Sequence, residues 1–551
     1  MNYKNILMAI LTSVSVTGSS FSHSEEPEAP ATAQDRKITR FKIAPDTTFV
    51  LSPVSDDGTI DYADAINKKM RADLKPEDNA VVWIMRALGR NIPDYELAPR
   101  MFTELGMQPP AELGDYLKPS FPNDDVDVSG LNRNQQAELM DKLLEQYASS
   151  QEGPWKREQY PELATWIESN KVPLDLIHFA GLRDRYFMPI ILEQDELDEQ
   201  SFAIPLMADI LPLCQVNRAI ARMLCCRAML SLGSGNHGAA WKDLMTCRRL
   251  GRLVSQGPSI VEALVGIAIE QTANDATTVF LNHGQPSIAE LQTYRAEMAQ
   301  LPPIAKISDK VNLMERCTIL DAIQTMAIQE EQAVELLGVD PDLGAVARVV
   351  QALPLQSIEW TGALQVTNSW YDRLVTAMDL PTYSDRSAAI AKIEMDLQTI
   401  SQRIMSAENV AQIEQDAQNL GKDLTVVDGG AISRTLGEIS VSLMLPKTSA
   451  ARVAEDRIRQ QMVLVDAALA LAAYHASEGD YPEQLSELKP AYLKRIPGDL
   501  FTGKPVLYRR TDEGYLLYSA GPNRKDDDGR TMSVANPGDD LPIRVGKPSA
   551  N

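Results

Sequence analysis

Residues 455–472 read EDRIRQQMVLVDAALALA, and residues 506–529 read VLYRRTDEGYLLYSAGPNRKDDDG. In the first stretch Ile458, Met462, Val465, Leu469 and Ala472 recur at alternating spacings of four and three, which lays one apolar stripe along a helix. Glu455, Arg459, Gln460 and Asp466 occupy other faces. A second apolar flank through Val463, Leu464 and Leu471 lets the same helix dock onto the chain that precedes it, which predicts a rigid junction. In the second stretch Val506–Arg510 and Tyr515–Ser519 form a strand hairpin closed by Thr511-Asp-Glu-Gly514. A helix followed by a hairpin predicts a small α+β unit at residues 447–545, and most of the remaining chain has helical periodicity.

Between the two stretches lie Tyr481, Pro482, Leu485, Leu488, Pro490, Tyr492, Leu493, Pro497, Asp499, Gly503, Pro505 and Tyr508. In that order they resemble the globular part of a type II secretion major pseudopilin, which the resemblance implies is a long helix, a short antiparallel sheet and a calcium-binding loop. The resemblance implies a fold and an envelope context rather than an activity. Nothing like that family's Gly-Phe processing site, its early Glu or its polymerising apolar helix precedes Thr448, so filament formation is not implied.

The acidic loop runs Ser519-Ala-Gly-Pro-Asn-Arg-Lys-Asp-Asp-Asp-Gly529. Calcium takes six to eight oxygens from carboxylates, carbonyls and hydroxyls, and this composition supplies several. By resemblance, Asp526, Asp527 and Asp528 are the expected calcium ligands; the alternative is a solvated acidic turn. Arg524 and Lys525 add positive charge to the loop. An EF-hand does not fit, because Arg524 takes the first ligand position and Ala535 the last.

Working back from this unit, residues 205–446 read as packed helices and residues 41–204 as a mostly helical region. Residues 41–54 suggest a strand or two, with Ser55-Asp-Asp-Gly58 as a turn. Val81, Ile84, Met85 and Leu88 lie on one helix face, and Trp166 and Pro173 mark one helix ending and another entering. The clearest hairpin spans residues 217–253, with Cys225 and Cys226 on one arm and Trp241 and Cys247 on the other. It resembles a tetratricopeptide-type unit, although a single unit does not make a self-sufficient solenoid. The fold class expected is therefore mainly α, a helical-hairpin body with a small C-terminal α+β domain. Gly233-Ser-Gly235-Asn-His-Gly238 satisfies the dinucleotide-binding string G-x-G-x-x-G. It follows helically spaced Met, Leu, Cys and Ala rather than a β-branched strand, so an interhelical turn is expected.

At the N-terminus, Lys4, an apolar run from Ile6 to Val16 and small residues at Ser20, Ser22 and Ser24 predict a cleaved signal peptide over residues 1–24, the alternative being an uncleaved anchor. A disordered, acidic linker over residues 25–40 is expected to follow. The run is too short to cross a bilayer, which takes about 20 residues, so the expected location is periplasmic or extracellular with no membrane span in the mature chain. A net charge of −23 argues against nucleic acid and anionic membrane partners. The 44% hydrophobic content excludes general disorder. The 6% aromatic content argues against glycan binding, where stacking rings are needed. Another acidic run, residues 193–200, reads as a solvated segment.

The five cysteines contain no C-x-x-C pair, which disfavours zinc-ribbon and thioredoxin readings. Two readings of them stand: buried reduced thiols, or Cys225 or Cys226 paired with Cys247 across the hairpin. His178, His237, His283 and His475 fall in no catalytic motif. The whole chain resembles large secreted bacterial proteins with a helical body and a pseudopilin-like end, on Asp61–Asn67, the Trp241 hairpin, residues 368–373 and the C-terminal unit. The expectation is a non-enzymatic protein-interaction protein whose partners are envelope or secretion proteins. The alternatives are an exported hydrolase, which needs a deep pocket with two or more buried carboxylates, and a surface-layer component assembled through calcium.

Overall fold

Asn67 and Asn79 show how the N-terminal region is tied together. Each buried side chain offers both its amide faces to one backbone residue of an extended segment: Asn67 Nδ2 donates to Ile190 O at 2.8 Å and Oδ1 accepts from Ile190 N at 2.9 Å, and Asn79 does the same with Phe187 at 2.8 and 3.0 Å. Asn67 belongs to α1 (Tyr62–Arg71), capped by Asp61, and Asn79 is the N-cap of α2 (Ala80–Leu88). The computed structural model describes residues 40–191 apart from 93–94, 123–125 and 127, and then residues 210–328, 359–404, 429–532 and 537–546. The expected signal peptide, nearly all of the expected linker and the acidic run at 193–200 lie outside the described residues.

Val81, Ile84, Met85 and Leu88 are buried on α2, as their spacing predicts. The turn at Ser55–Gly58 forms, with Gly58 N donating to Ser55 O at 2.9 Å. The strands suggested for residues 41–54 do not: the segment is turns and coil, with one isolated antiparallel bridge between Val54 and Ile60. Its polar groups bond locally and to a helix instead, Thr47 and Thr48 hydroxyls to Ala44 O and the Asn368 side chain to Thr47 O. A short ribbon, β1 (Asn91–Ile92) with β2 (Tyr95–Glu96), leads to α3 (Pro99–Glu104) and α4 (Arg133–Ser149). Next, α5 (Pro161–Ser169) gives way to α6 (Lys171–Gly181) at Asn170, the predicted helix-to-helix junction.

The centre of the body is a three-helix layer, α7 (Ile210–Gly233), α8 (His237–Val254) and α9 (Ile260–His283), each packed on the other two. The G-x-G-x-x-G string is the α7–α8 turn, with Gly235 at φ +74° and Asn236 capping α8 through Ala239 N at 3.0 Å. Helices α8 and α9 cross at Gly251 and Gly266, where a Cβ on Gly266 would lie 2.4 Å from Gly251 O. Then come α10 (Ile288–Ala299), α11 (Ile307–Lys310), a π-helical turn at Val311–Glu315 and α12 (Arg316–Ile328). Helices α13 (Trp360–Met378), α14 (Tyr383–Ile404) and α15 (Gly429–Glu478) complete the 15 helices among the described residues.

The 50-residue α15 runs without interruption through position 446 and is shared by both parts of the molecule. It packs on α9, α10, α13 and α14 of the body, and on the sheet that follows it. Ile458, Val465 and Leu469 are buried, as the stripe predicts, and so are Leu464 and Leu471 of the second flank, whereas Val463 is exposed. The sheet is antiparallel in the order β3 (Leu507–Thr511), β4 (Gly514–Ser519), β5 (Leu541–Val545). Strand β4 is central and buried along its whole length, because one side packs on α15 and its neighbours close both edges. The chain is thus mainly helical, with one small antiparallel sheet near its C-terminus.

Candidate functional site

The loop from β4 to β5 starts from a buried anchor. Asp499 accepts from Phe501 N and Ala520 N, both at 2.8 Å, and so ties the segment before β3 to the end of β4. From there the chain turns through Gly521, Arg524, Asp528 and Gly529, all at positive φ. A side chain at Gly521 would collide with Asp539 O, 2.2 Å from its Cβ position. This crowding brings residues 521–530 against residues 538–540, the two ends of the same loop.

Three carboxylates meet there: one oxygen each of Asp527, Asp539 and Asp540, all within 4.8 Å of one another. Asp540 is fully buried, and its Oδ2 accepts from Gly529 N at 2.7 Å and Asp527 N at 3.1 Å. Asp539 Oδ2 accepts from Asn523 N at 3.0 Å, and Asp527 Oδ2 from Asn523 Nδ2 at 2.9 Å and Asp539 N at 3.2 Å. The other oxygens of the pair, Asp539 Oδ1 and Asp540 Oδ1, are buried with no hydrogen-bond partner among the described residues. Burial pushes Asp540 up to about 6 and Asp539 upward, while the hydrogen bonds from Asn523 and Asp539 N hold Asp527 below the usual carboxylate range. Arg530 stands at the edge, 3.9 Å from Asp527 Oδ1.

Of the three residues expected from sequence, the fold brings Asp527 into this cluster and turns the other two away. Asp526 Oδ1 accepts from Tyr518 OH at 3.0 Å and Asp528 N at 2.9 Å, and Asp528 faces Arg509 at 3.7 Å. Successive side chains in a tight turn diverge, so three adjacent acids do not converge on one point. The complementary pair, Asp539 and Asp540, was missed; its signal was the Pro537-Gly538-Asp539-Asp540 string just before the last strand.

The donor set fits a hard divalent cation. Calcium sits about 2.4 Å from its oxygens, so two ligands of one ion lie up to about 4.8 Å apart. Two unpartnered buried carboxylate oxygens are an expensive arrangement unless a cation or a proton meets them. Asp527, Asp539 and Asp540 are the side chains that would hold the ion.

The body holds a second set of buried acids, each bound within the fold. Glu262 accepts from Ser259 Oγ at 2.8 Å in a capping box at the start of α9, and Glu315, in the π-helical turn, accepts from Ile260 N at 2.9 Å. Burial raises both to about 7 and lowers the neighbouring Lys310 to about 8, against the opposing pull of Glu262. Lys310 Nζ donates to Gln256 O at 3.0 Å. Two open grooves of about 240 and 310 Å³ lie elsewhere, against α1 and the chain that follows α6. No family model, curated protein or solved structure matches this chain.

Proposed function

We propose that the protein is an exported, non-catalytic interaction protein of the cell envelope. A helical body with a tetratricopeptide-like hairpin presents a pseudopilin-like α+β head, and calcium in the Asp527–Asp539–Asp540 loop closes that head. The observation that carries this reading is the junction. One continuous helix, α15, serves both parts, and side-chain clamps from α9, α10 and α14 fix the head against the body. Arg295 of α10 pairs with Asp466 at 2.8 Å and donates to Tyr492 O; Asn282 of α9 donates to Arg544 O and accepts from Gly546 N at 2.8 Å. Tyr383 and Ser384 of α14 reach the acidic loop, at Pro522 O and the Arg524 guanidinium, both at 3.3 Å.

A head held at a fixed angle suits presentation of a surface to a partner. The body's buried carboxylates support the same reading, because Glu262, Glu315 and Glu270 are each engaged in bonds that hold helices in place. When bound, calcium supplies the positive charge that the two unpartnered aspartate oxygens lack. The partners fall among envelope and secretion proteins, and no helix among the described residues is long and apolar enough to cross a membrane.

The test is crosslinking in intact cells, affinity purification of the tagged protein and mass spectrometry, with a parallel chelator-treated sample. Envelope or secretion subunits that are recovered with calcium and lost on chelation are the expected result. Recovery of the protein alone would overturn the reading and return the search to hydrolase substrates.

A further inference from the structure

We propose that Cys225 and Cys247 form a disulfide that staples α7 to α8 in the exported protein. The two sulfurs stand 4.0 Å apart across the hairpin. The register explains why: each cysteine is eleven residues from Asn236, the cap at the turn, so antiparallel helices bring them level. A disulfide needs about 2.0 Å between sulfurs, so the two must close by about 2 Å. Cys226 is not the partner. Its sulfur points to the other side of α7, 3.2 Å from Ser150 Oγ at the end of α4.

The surroundings of the pair offer no competing role. Cys247 Sγ lies 3.7 Å from Ile269 O and 3.9 Å from Ala221 O, and Cys225 Sγ lies 3.9 Å from Thr272 O, all backbone contacts within the three-helix layer. Both residues are buried in the finished fold, so the bond forms before the layer closes. One cysteine thiolate attacks a disulfide oxidant of the glutathione or disulfide-oxidoreductase class and releases one reduced thiol. The second cysteine then displaces the other, so the oxidant gains two electrons and two protons while the Sγ–Sγ bond forms. The inference rests on the export reading only for the presence of that oxidant.

The experiment uses the full chain in two arms. In the first, unfolded reduced protein carrying Cys226→Ser, which removes the ambiguity of adjacent cysteines, is refolded in a glutathione redox buffer, alkylated and mapped by peptide mass spectrometry. The expected product is a Cys225–Cys247 peptide pair lighter by two hydrogens, with Cys214 and Cys317 alkylated. Its unfolding midpoint should exceed that of the reduced form by a few degrees. Cys225→Ser and Cys247→Ser should each abolish that increment, and the double variant should lose no more of it. All four thiols alkylated after oxidative refolding would overturn the pair. In the second arm, the wild-type chain exported to an oxidising compartment is mapped without reduction. A linked pair there is the expected result. A pair linked in glutathione but free in the exported chain would overturn the staple and place the failure in the export reading, not in the geometry.

Discussion

Glu270 in the helical body and Asp540 in the C-terminal head are both fully buried, and the fold treats them differently. Both oxygens of Glu270 are taken by guanidinium groups, Arg248 at 2.7 Å and Arg252 at 2.9 Å, and Arg248 also donates to Asn274 and Thr277. Burial works to raise Glu270, but the two arginines outweigh it and bring the carboxyl below its usual range. Asp540 has backbone amides on one oxygen and, among the described residues, no hydrogen-bond partner on the other, and burial raises it to about 6. The body's carboxylate has its counter-charge within the fold, whereas Asp540 Oδ1 has no hydrogen-bond partner among the described residues. Glu270 is therefore balanced by charges within the fold near neutral pH, whereas a cation or a proton would be needed to offset the buried charge of Asp540.

The largest expected break in this comparison comes from Glu270→Ala, which leaves two buried arginines without their counter-charge. Urea unfolding should show a loss of about 3–5 kcal/mol. Asp540→Asn, measured without metal, should be neutral or mildly stabilising. Equal losses from the two variants would show that the loop is as self-contained as the body.

The second test is pH. Glu262 and Glu315 are raised from 4.5 to about 7, so the folded state holds their protons more tightly than the unfolded chain. Their stabilising contribution is complete below about pH 4.5 and is lost as pH rises through 7, on the order of 3 kcal/mol per group at most. Glu270 runs the other way, contributing above its ordinary range and losing that contribution as pH falls through its lowered value. Denaturation curves between pH 4.5 and 7 should flatten in Glu315→Gln. An unchanged slope would mean that other groups set the pH response.

Calcium sharpens the comparison directly. At a hundredfold excess over its Kd the ion should add about 2.7 kcal/mol, read as a melting shift that a chelator reverses. Asp527→Asn and Asp540→Asn should lose the shift, while Asp526→Asn and Asp528→Asn should keep it, because those two carboxylates face Tyr518 and Arg509. The smallest effect belongs to the outer surface of the head. Arg510 pairs with exposed Asp480 and Glu483, and Arg510→Ala should cost less than about 1 kcal/mol in the same assay.

Much of the architecture was legible because it depends on short-range pattern. Periodicity identified α2, the α5–α6 junction, the α7–α8 hairpin and the buried stripe of α15, and the preceding helical spacing marked the glycine string at 233–238 as a turn. The strand suggestion at residues 41–54 failed for the converse reason. β-Prone composition needs a partner edge, and Thr47 and Thr48 found hydrogen bonds at Ala44 instead. Within the acidic loop, the set implied by resemblance, Asp526, Asp527 and Asp528, shares only Asp527 with the three acids that converge, since sequence says nothing about which side chains a turn directs inward.

Short-range pattern alone accounts for most of the helices and the C-terminal strand hairpin, for a helical-hairpin register that brings Cys225 or Cys226 near Cys247, and for an acidic loop before the final strand. All three follow from backbone geometry over a few turns. Tertiary structure alone decided that Cys225 rather than Cys226 faces Cys247, that Glu270 lies between two arginines, and that Asp527 meets Asp539 and Asp540. These choices depend on which faces are left to pack once elements remote in sequence are brought together, and on the cost of leaving a buried charge without a partner.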